Sequence, residues 1–345
     1  MAATDPATVL VTGGAGYIGS HAAKALRAAG YQVVIYDNLS AGHREAALGA
    51  PLVVGDIGDV EGVRRALRES GAAAVMHFAA WLSVAESVRN PVAYYRNNVG
   101  GALATLEAMA SEGCRALVFS STCAVYGNPV ETPLRETHPT RPINAYGQTK
   151  LAVEQALPHF ERAYGIQAIC LRYFNAAGAD PDGEIGEDHS PEIHVIPRAF
   201  DAASGGPPLD VFGEDYPTPD GTCLRDYIHV TDLADAHVRA LRRLEAGGGS
   251  ATYNVGTERP SSVHDVIASV ERVTGRVVAR RSAPRRAGDP AILFAAATRI
   301  RADLGWVASR PHLDTIVNDA WRWHLGHPDG FRSDSTAADA GRAAD

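Results

Sequence analysis

No apolar run in this 345-residue sequence is long enough to cross a bilayer, and its first residues lack a charged-then-apolar leader pattern. No membrane association is expected, and a cytoplasmic location is. Cysteine is sparse: Cys114, Cys123, Cys170 and Cys223 are scattered, with no metal-ligand spacing, and read as reduced thiols. No metal is expected. Basic residues are not in excess. The formal charge of −8 lacks the footprint of a nucleic-acid binder, although a few local arginines suffice for a phosphorylated ligand. There is no internal repeat. Residues 332–345, rich in Ala, Ser and Asp, have no apolar period and are expected to form a disordered tail.

What is present starts with a β-α-β unit. Val9-Leu10-Val11-Thr12 is a short β-prone run that leads into Gly13-Gly14-Ala15-Gly16-Tyr17-Ile18-Gly19. A helix-like segment follows from Ser20 to Ala29, then Gly30, then the strand-like run Tyr31 to Tyr36. Glycines in the turn after a first strand let the backbone approach a pyrophosphate, which sits on the helix N-terminus. The spacing here is G-x-x-G-x-x-G, through Gly13, Gly16 and Gly19. Asp37 ends the second strand, where a carboxylate accepts from a ribose 2′-hydroxyl and repels a 2′-phosphate, which favours NAD over NADP.

Strand-like and helix-like runs keep alternating through the first half, with helical stretches at Val60–Glu69, Val99–Met109 and Thr149–Ala163. That alternation predicts an α/β fold with a doubly wound parallel sheet of Rossmann type. After Asn175 the texture changes: Gly, Pro and Asp become dense and the strands shorter. The expected division is an NAD-binding domain over 1–177 with a return segment at about 226–256, and a smaller α/β substrate domain from 178–225 and 257–331.

Tyr146 and Lys150 lie four apart in Asn144-Ala145-Tyr146-Gly147-Gln148-Thr149-Lys150, so a helix projects both from one face. A tyrosine is a weak base near neutrality, and a neighbouring ammonium favours its phenolate. The pair is a candidate proton-handling device for an alcohol or sugar hydroxyl. Ser120-Ser121-Thr122 ends a strand aimed at the same place, and Thr122 is either a partner of that tyrosine or the cap of a turn.

The glycine turn together with this pair resembles the short-chain dehydrogenase/reductase superfamily. The ordered segments TGGAGYIGSH, YDNLS, HFAA, YYRNNV, FSSTCAVYG, AYGQTK, LRYFNAAGA and GEDYPTPDGTCLRDYIHVTDLADAHV sharpen it. From about Thr8 to Phe331 the chain resembles the UDP-glucose 4-epimerase family of the extended branch. The resemblance implies reversible epimerisation of UDP-galactose and UDP-glucose at carbon 4, through a 4-keto intermediate and with tightly held NAD. It also implies a homodimer packed through helices near Val99–Met109 and Leu151–Tyr164.

By the same resemblance Tyr146 is the catalytic base and acid, Lys150 binds the nicotinamide ribose, and Thr122 bridges tyrosine and substrate. The implied cofactor contacts are Gly13, Gly16, Tyr17, Ile18, Gly19, Asp37, Asn38, Ser40, Asp56, Ile57, Phe78, Ala79, Asn97 and Tyr173 beside that pair. The implied substrate contacts are Asn175, His194, Val195, Phe212, Arg225, Tyr227, Arg286, Asp289 and Leu293. Arginine forks suit a diphosphate and an aromatic face suits a base. Leu293, where the family varies between bulky aromatics and small residues, implies a side activity on N-acetylated sugars.

Two positions depart from the pattern. Leu82 stands where some members carry lysine, and His194 where others have asparagine. A 4,6-dehydratase shares the fold but needs an acid pair after the threonine, where Cys123 and Ala124 stand. The readings left open are a 4-epimerase of another UDP-sugar, of xylose or glucuronate type, and a non-catalytic NAD-binding regulator.

Overall fold

The structure, a computed structural model, describes residues 7–286 and 289–331, so the expected tail at 332–345 lies outside the described residues. Its strands are, in chain order, β1 (Thr8–Thr12), β2 (Gln32–Asp37), β3 (Leu52–Val54), β4 (Ala74–His77), β5 (Ala116–Thr122), β6 (Gln167–Tyr173), β7 (Asn175–Ala177), β8 (Leu209–Phe212), β9 (Leu224–His229), β10 (Ala251–Val255), β11 (Pro260–Ser262), β12 (Arg280–Ala283) and β13 (Ile292–Leu293). The α-helices are α1 (Tyr17–Ala28), α2 (Val60–Ser70), α3 (Val84–Arg89), α4 (Pro91–Tyr94), α5 (Gly101–Glu112), α6 (Ala145–Tyr164), α7 (Val195–Ala203), α8 (Val230–Glu245), α9 (Val263–Thr274), α10 (Thr298–Leu304) and α11 (Leu313–Gly326).

Val9, Leu10 and Val11 are all buried, because both faces of their strand are covered. A run without alternation is what a parallel sheet between two helix layers requires. The sheet is seven-stranded and parallel throughout, in the order β10-β6-β5-β4-β1-β2-β3. On one face Ala22 and Leu26 of α1 meet Leu233, Ala236 and Leu241 of α8 over the sheet. On the other, Val63 and Leu67 of α2, Leu106 and Met109 of α5 and Val153 of α6 close a second core. The chain steps outward from β1 to β3 and then crosses to β4 on the other side of β1. A crevice opens at such a switch point, beyond the carboxyl ends of the strands.

Strand β10 pairs with β6, and α8 packs on the same sheet, whereas residues 226–229 lie on β9. Around β9 lies a smaller sheet, with β7 and β13 parallel to it and β11 antiparallel. Phe200 of α7, Ile267 of α9 and Trp321 of α11 bury its far side together with Val211 and Tyr227.

Helix α6 begins at Ala145, four residues before the expected Thr149. The reason is local: Asn144 caps it, its side-chain oxygen accepting from Gly147 N at 2.8 Å, which outweighs the poor helix propensity of Gly147. Tyr146 therefore sits in the first turn. Ahead of α5, residues Tyr95–Gly100 widen into a π-helical turn, a form that recurs at functional sites.

Candidate active site

The glycine turn lies at the end of β1 and opens α1. Gly13 has φ of 71°, and a Cβ there would stand 2.5 Å from Ala79 N. A Cβ on Gly19 would stand 2.1 Å from Gly13 O. These two glycines bring turn, helix and the β4 end into contact that no side chain allows. Gly16, the residue before α1, offers no side-chain cap, so the first N–H groups of the helix face the crevice as an anion site. Tyr17 and Ile18 form the first turn, and the Tyr17 hydroxyl donates to Gly178 O at 2.7 Å. A dinucleotide fits this cradle.

Asp37 ends β2, buried. Its carboxylate accepts from Ala15 N at 3.0 Å and Leu39 N at 2.8 Å, which ties the acid to the glycine turn it flanks. Asn38 donates to Asp56 at 2.9 Å and accepts from Ser40 N at 3.0 Å, which joins these three beyond the ends of β2 and β3. Ile57 is buried, packed under α5 against Gly101. Phe78 and Ala79 follow β4, their N–H groups donating to Thr12 O, with the Phe78 ring 4.7 Å from the His237 ring. Asn97 lies in the π turn and donates to Asn98 at 2.9 Å.

Thr122 is the last residue of β5. Its hydroxyl accepts from Ala124 N at 3.2 Å, capping the turn that follows. Tyr146 is half-buried beside it. Burial pushes the phenol well above its ordinary value, the nearby Tyr173 adds to this, and the Thr122 hydroxyl acts in the opposite direction. Lys150 is buried, its ammonium 2.7 Å from Ser120 O and 5.0 Å from the Phe119 ring centre. Burial lowers it to about 7 against the pull of Glu154. Tyr173, at the end of β6, shares a 2.5 Å hydrogen bond with Ser120, and burial raises it to about 12. Thr122 and Tyr173 at the carboxyl ends of β5 and β6 thus stand in one group with Tyr146 and the buried Lys150 of α6.

Four of the expected substrate residues lie on the smaller sheet. Arg225 and Tyr227 are on β9, Asn175 pairs with Tyr227 across β7, and Leu293 pairs with Arg225 across β13. Arg225 is buried and forms an ion pair with Asp289. The Arg286 guanidinium lies 3.9 Å from the ring centre of Phe212 at the end of β8. Leu293 belongs to a small core with Val125, Tyr126 and Phe174. Val195 opens α7, and His194 precedes it. Burial alone would lower His194, but the Glu187 and Glu192 carboxylates more than offset this and hold it up to about 10.

Three supporting residues escape sequence reasoning. Buried Asn98 joins the Trp81 backbone to Thr149 of α6, at 3.1 Å from the threonine hydroxyl. Its one signal was the paired asparagine of YYRNNV. Asp226 accepts from Thr257 and Ala295 and so clamps the smaller sheet, with burial raising its carboxyl. Glu154 holds Arg172 beneath Ser121, a buried ion pair between α6 and β6 that periodicity does not reveal.

A diphosphate cradle at the switch point of a doubly wound sheet, with a tyrosine and a buried lysine on the adjoining helix, defines a dinucleotide-binding enzyme of the Rossmann class. The chain belongs to the NAD dependent epimerase/dehydratase family, whose model matches residues 9–256. It is 52% identical over 317 residues to a UDP-glucose 4-epimerase of Azospirillum brasilense, covering 91% of each chain. A UDP-glucose 4-epimerase from Brucella ovis, solved in complex with NAD, superposes with a TM-score of 0.90 at 48% identity, over 92% of this chain and 98% of that one. A third relative, from Stenotrophomonas maltophila with bound NAD and formylated UDP-arabinopyranose, has a TM-score of 0.90 at 42% identity, over 93% and 99%.

Proposed function

We propose that the chain interconverts UDP-galactose and UDP-glucose by inverting carbon 4 through a 4-keto sugar, with NAD as its resident cofactor. The observation that carries this is the meeting of Thr122, Tyr146 and Lys150 at the carboxyl end of β5, beside the glycine cradle. Bound NAD supplies reversible hydride exchange at carbon 4.

The chain's own residues hold the cofactor and move the proton. The turn through Gly13, Gly16, Tyr17, Ile18 and Gly19 takes the diphosphate, with Asn97 near it. Asp37 takes a ribose and, with no basic partner in its contacts among the described residues, selects against a 2′-phosphate. Asn38, Ser40 and Asp56 take the adenine side, and Phe78, Ala79, Lys150 and Tyr173 the nicotinamide side. Tyr146 removes the proton from the sugar 4-hydroxyl and returns it after the sugar has turned over. Burial favours the neutral phenol, so the phenolate needs a donor, and the Thr122 hydroxyl is one. Lys150, held near neutrality one helical turn away, is suited to exchange charge with that phenol.

Inversion requires a firm grip on the nucleotide and a loose one on the sugar. The Phe212–Arg286 stack and the buried Arg225 supply planar and forked contacts for the uridine diphosphate. Asn175, His194, Val195, Tyr227 and Asp289 surround them, and Leu293 bounds the sugar end. A homodimer is part of the same reading, supported by exposed Val88 on α3, Val92 on α4, Leu103 on α5 and Tyr164 on α6. Light scattering of purified protein tests it.

The deciding experiment is turnover of UDP-galactose by purified protein without added NAD, with Tyr146→Phe alongside. Formation of UDP-glucose that vanishes in the variant supports the reading. Absence of turnover in protein that contains NAD overturns it in favour of another UDP-sugar.

A further inference from the structure

The loop that leads into α7 carries a pattern no cysteine search finds: Glu187, His189, Glu192 and His194, spaced E-x-H-x-x-E-x-H. One donor atom from each lies within 4.8 Å of all the others. His194 Nδ1 is 2.6 Å from Glu187 Oε1 and 3.0 Å from Glu192 Oε1. His189 Nδ1 is 3.1 Å from the same Glu187 oxygen and 3.8 Å from Glu192 Oε2. A tetrahedral cation with bonds of about 2.0–2.1 Å separates its donors by roughly 3.4 Å, within that spread.

We propose that Glu187, His189, Glu192 and His194 form a site for a divalent transition-metal ion, zinc by its donor set, which pins this loop against the start of α7. The charges support it. Two carboxylates stand together among side chains that expose only 8–35% of their surface, and a divalent ion offsets their charge. A metal ion would take the two imidazole nitrogens deprotonated, in place of the protons that pairing with Glu187 otherwise places between them. Calcium and magnesium demand more donors, all oxygen, whereas two imidazoles and two carboxylates in four-fold arrangement suit zinc.

The surroundings hold these donors in place. Glu187 O accepts from the Trp323 indole at 3.3 Å, Glu192 Oε1 accepts from the N–H groups of Ile193 and His194 at 2.7 Å, and the His189 ring stands edge-on to Tyr17 at 6.2 Å. Four protein donors leave no open position, so the ion is structural. It would tie the two ends of the loop that presents His194 and Val195 to each other. The inference does not rest on the reaction assigned above.

The test uses full-length protein without a histidine tag. After extensive dialysis, elemental analysis is expected to find one zinc per chain. His189→Ala and Glu187→Gln are each expected to weaken zinc beyond the roughly 10–100-fold that loss of an outer partner costs, measured by competition with a chromophoric chelator. Chelator-treated wild type reconstituted with cobalt(II) is expected to show the intense visible bands of a tetrahedral site, a readout that survives if a variant fails to fold. Wild type that neither retains zinc nor takes it up from zinc chloride overturns the site. So does a weak six-coordinate cobalt spectrum, or a folded His189→Ala protein that binds zinc as tightly as wild type.

Discussion

Lys150 donates to the carbonyl oxygen of Ser120 at 2.7 Å, and among the described residues no hydrogen bond joins it to Tyr146, one turn earlier on α6. A neighbouring ammonium favours the phenolate of Tyr146. The lysine lies beneath the end of β5, where burial acts on its own charge. Burial lowers its folded value to about 7 from an ordinary 10.5. Between those values the unfolded chain binds a proton that the folded one does not, so stability contributed here is complete above 10.5, falls as pH falls, and is gone below about 7. Urea titrations of dinucleotide-free protein at pH 6.5 and 9 should show wild type gaining stability relative to Lys150→Met at the higher pH. An unchanged difference would refute the buried, depressed lysine.

Thr122 caps the turn after β5, and its hydroxyl is proposed as the partner of the Tyr146 phenol. The two roles separate by substitution. Thr122→Ser keeps the hydroxyl and should keep most of the turnover. Thr122→Val removes a hydrogen bond to a charge-bearing oxygen, about 1.5–3 kcal/mol, which corresponds to roughly 10–100-fold in kcat. KM should move little. Steady-state kinetics that show equal losses in both variants would reduce Thr122 to a turn cap.

The first half of the fold was legible because its signals are local. An unbroken apolar run such as Val9–Val11 and a glycine at φ of 71° each carry their own reason. The start of α6 was misplaced by four residues because a polar Asn144 and Gly147 read as loop until the cap is seen. The smaller sheet was not legible at all: β13 has two residues, and β7, β11 and β13 meet only at β9, through contacts more than 30 residues apart. Sequence gave Arg225 and Asp289 as neighbours in function only by resemblance, and their pairing spans that separation.

Gly19→Ala tests the cofactor cradle directly. The added methyl would stand 2.1 Å from Gly13 O, backbone that cannot yield without moving the turn. The variant should fold, by circular dichroism, yet release its dinucleotide on gel filtration, with the nucleotide content read from absorbance of the denatured supernatant. Retention of stoichiometric NAD would show that the turn tolerates the shift.

Acid should unfold this chain early. Burial lowers His77 to about 3, and His21 and His237 to about 4. All are therefore neutral when folded at pH 5, whereas the unfolded chain protonates near 6.5. Unfolding takes up protons across that interval, so the stability these groups contribute is present above about 6.5 and is lost as pH falls toward 4. Denaturant midpoints should drop steeply from pH 7 to 5, and His237→Gln should flatten that drop. A midpoint independent of pH in this range would contradict the buried neutral histidines.

Leu293 should set which sugars enter. It is buried on β13 directly beside Arg225 of β9, in a small core with Tyr126 and Phe174, so its side chain fills space between the nucleotide grip and the end of β5. A leucine there leaves room that a tyrosine would take, and an acetamido group on carbon 2 needs room. Discrimination by volume in an apolar pocket is modest, about 1–3 kcal/mol, or roughly 10–200-fold. Leu293→Tyr should therefore cut kcat/KM for UDP-N-acetylgalactosamine by a factor in that range while UDP-galactose turnover falls far less. Leu293→Gly should shift the ratio the other way, at a cost in stability of about 2–5 kcal/mol from the cavity it opens. Because the ratio of the two substrates is measured on one protein preparation, that stability loss cancels from the comparison. A ratio unmoved by either change would place the sugar elsewhere and remove Leu293 from the site.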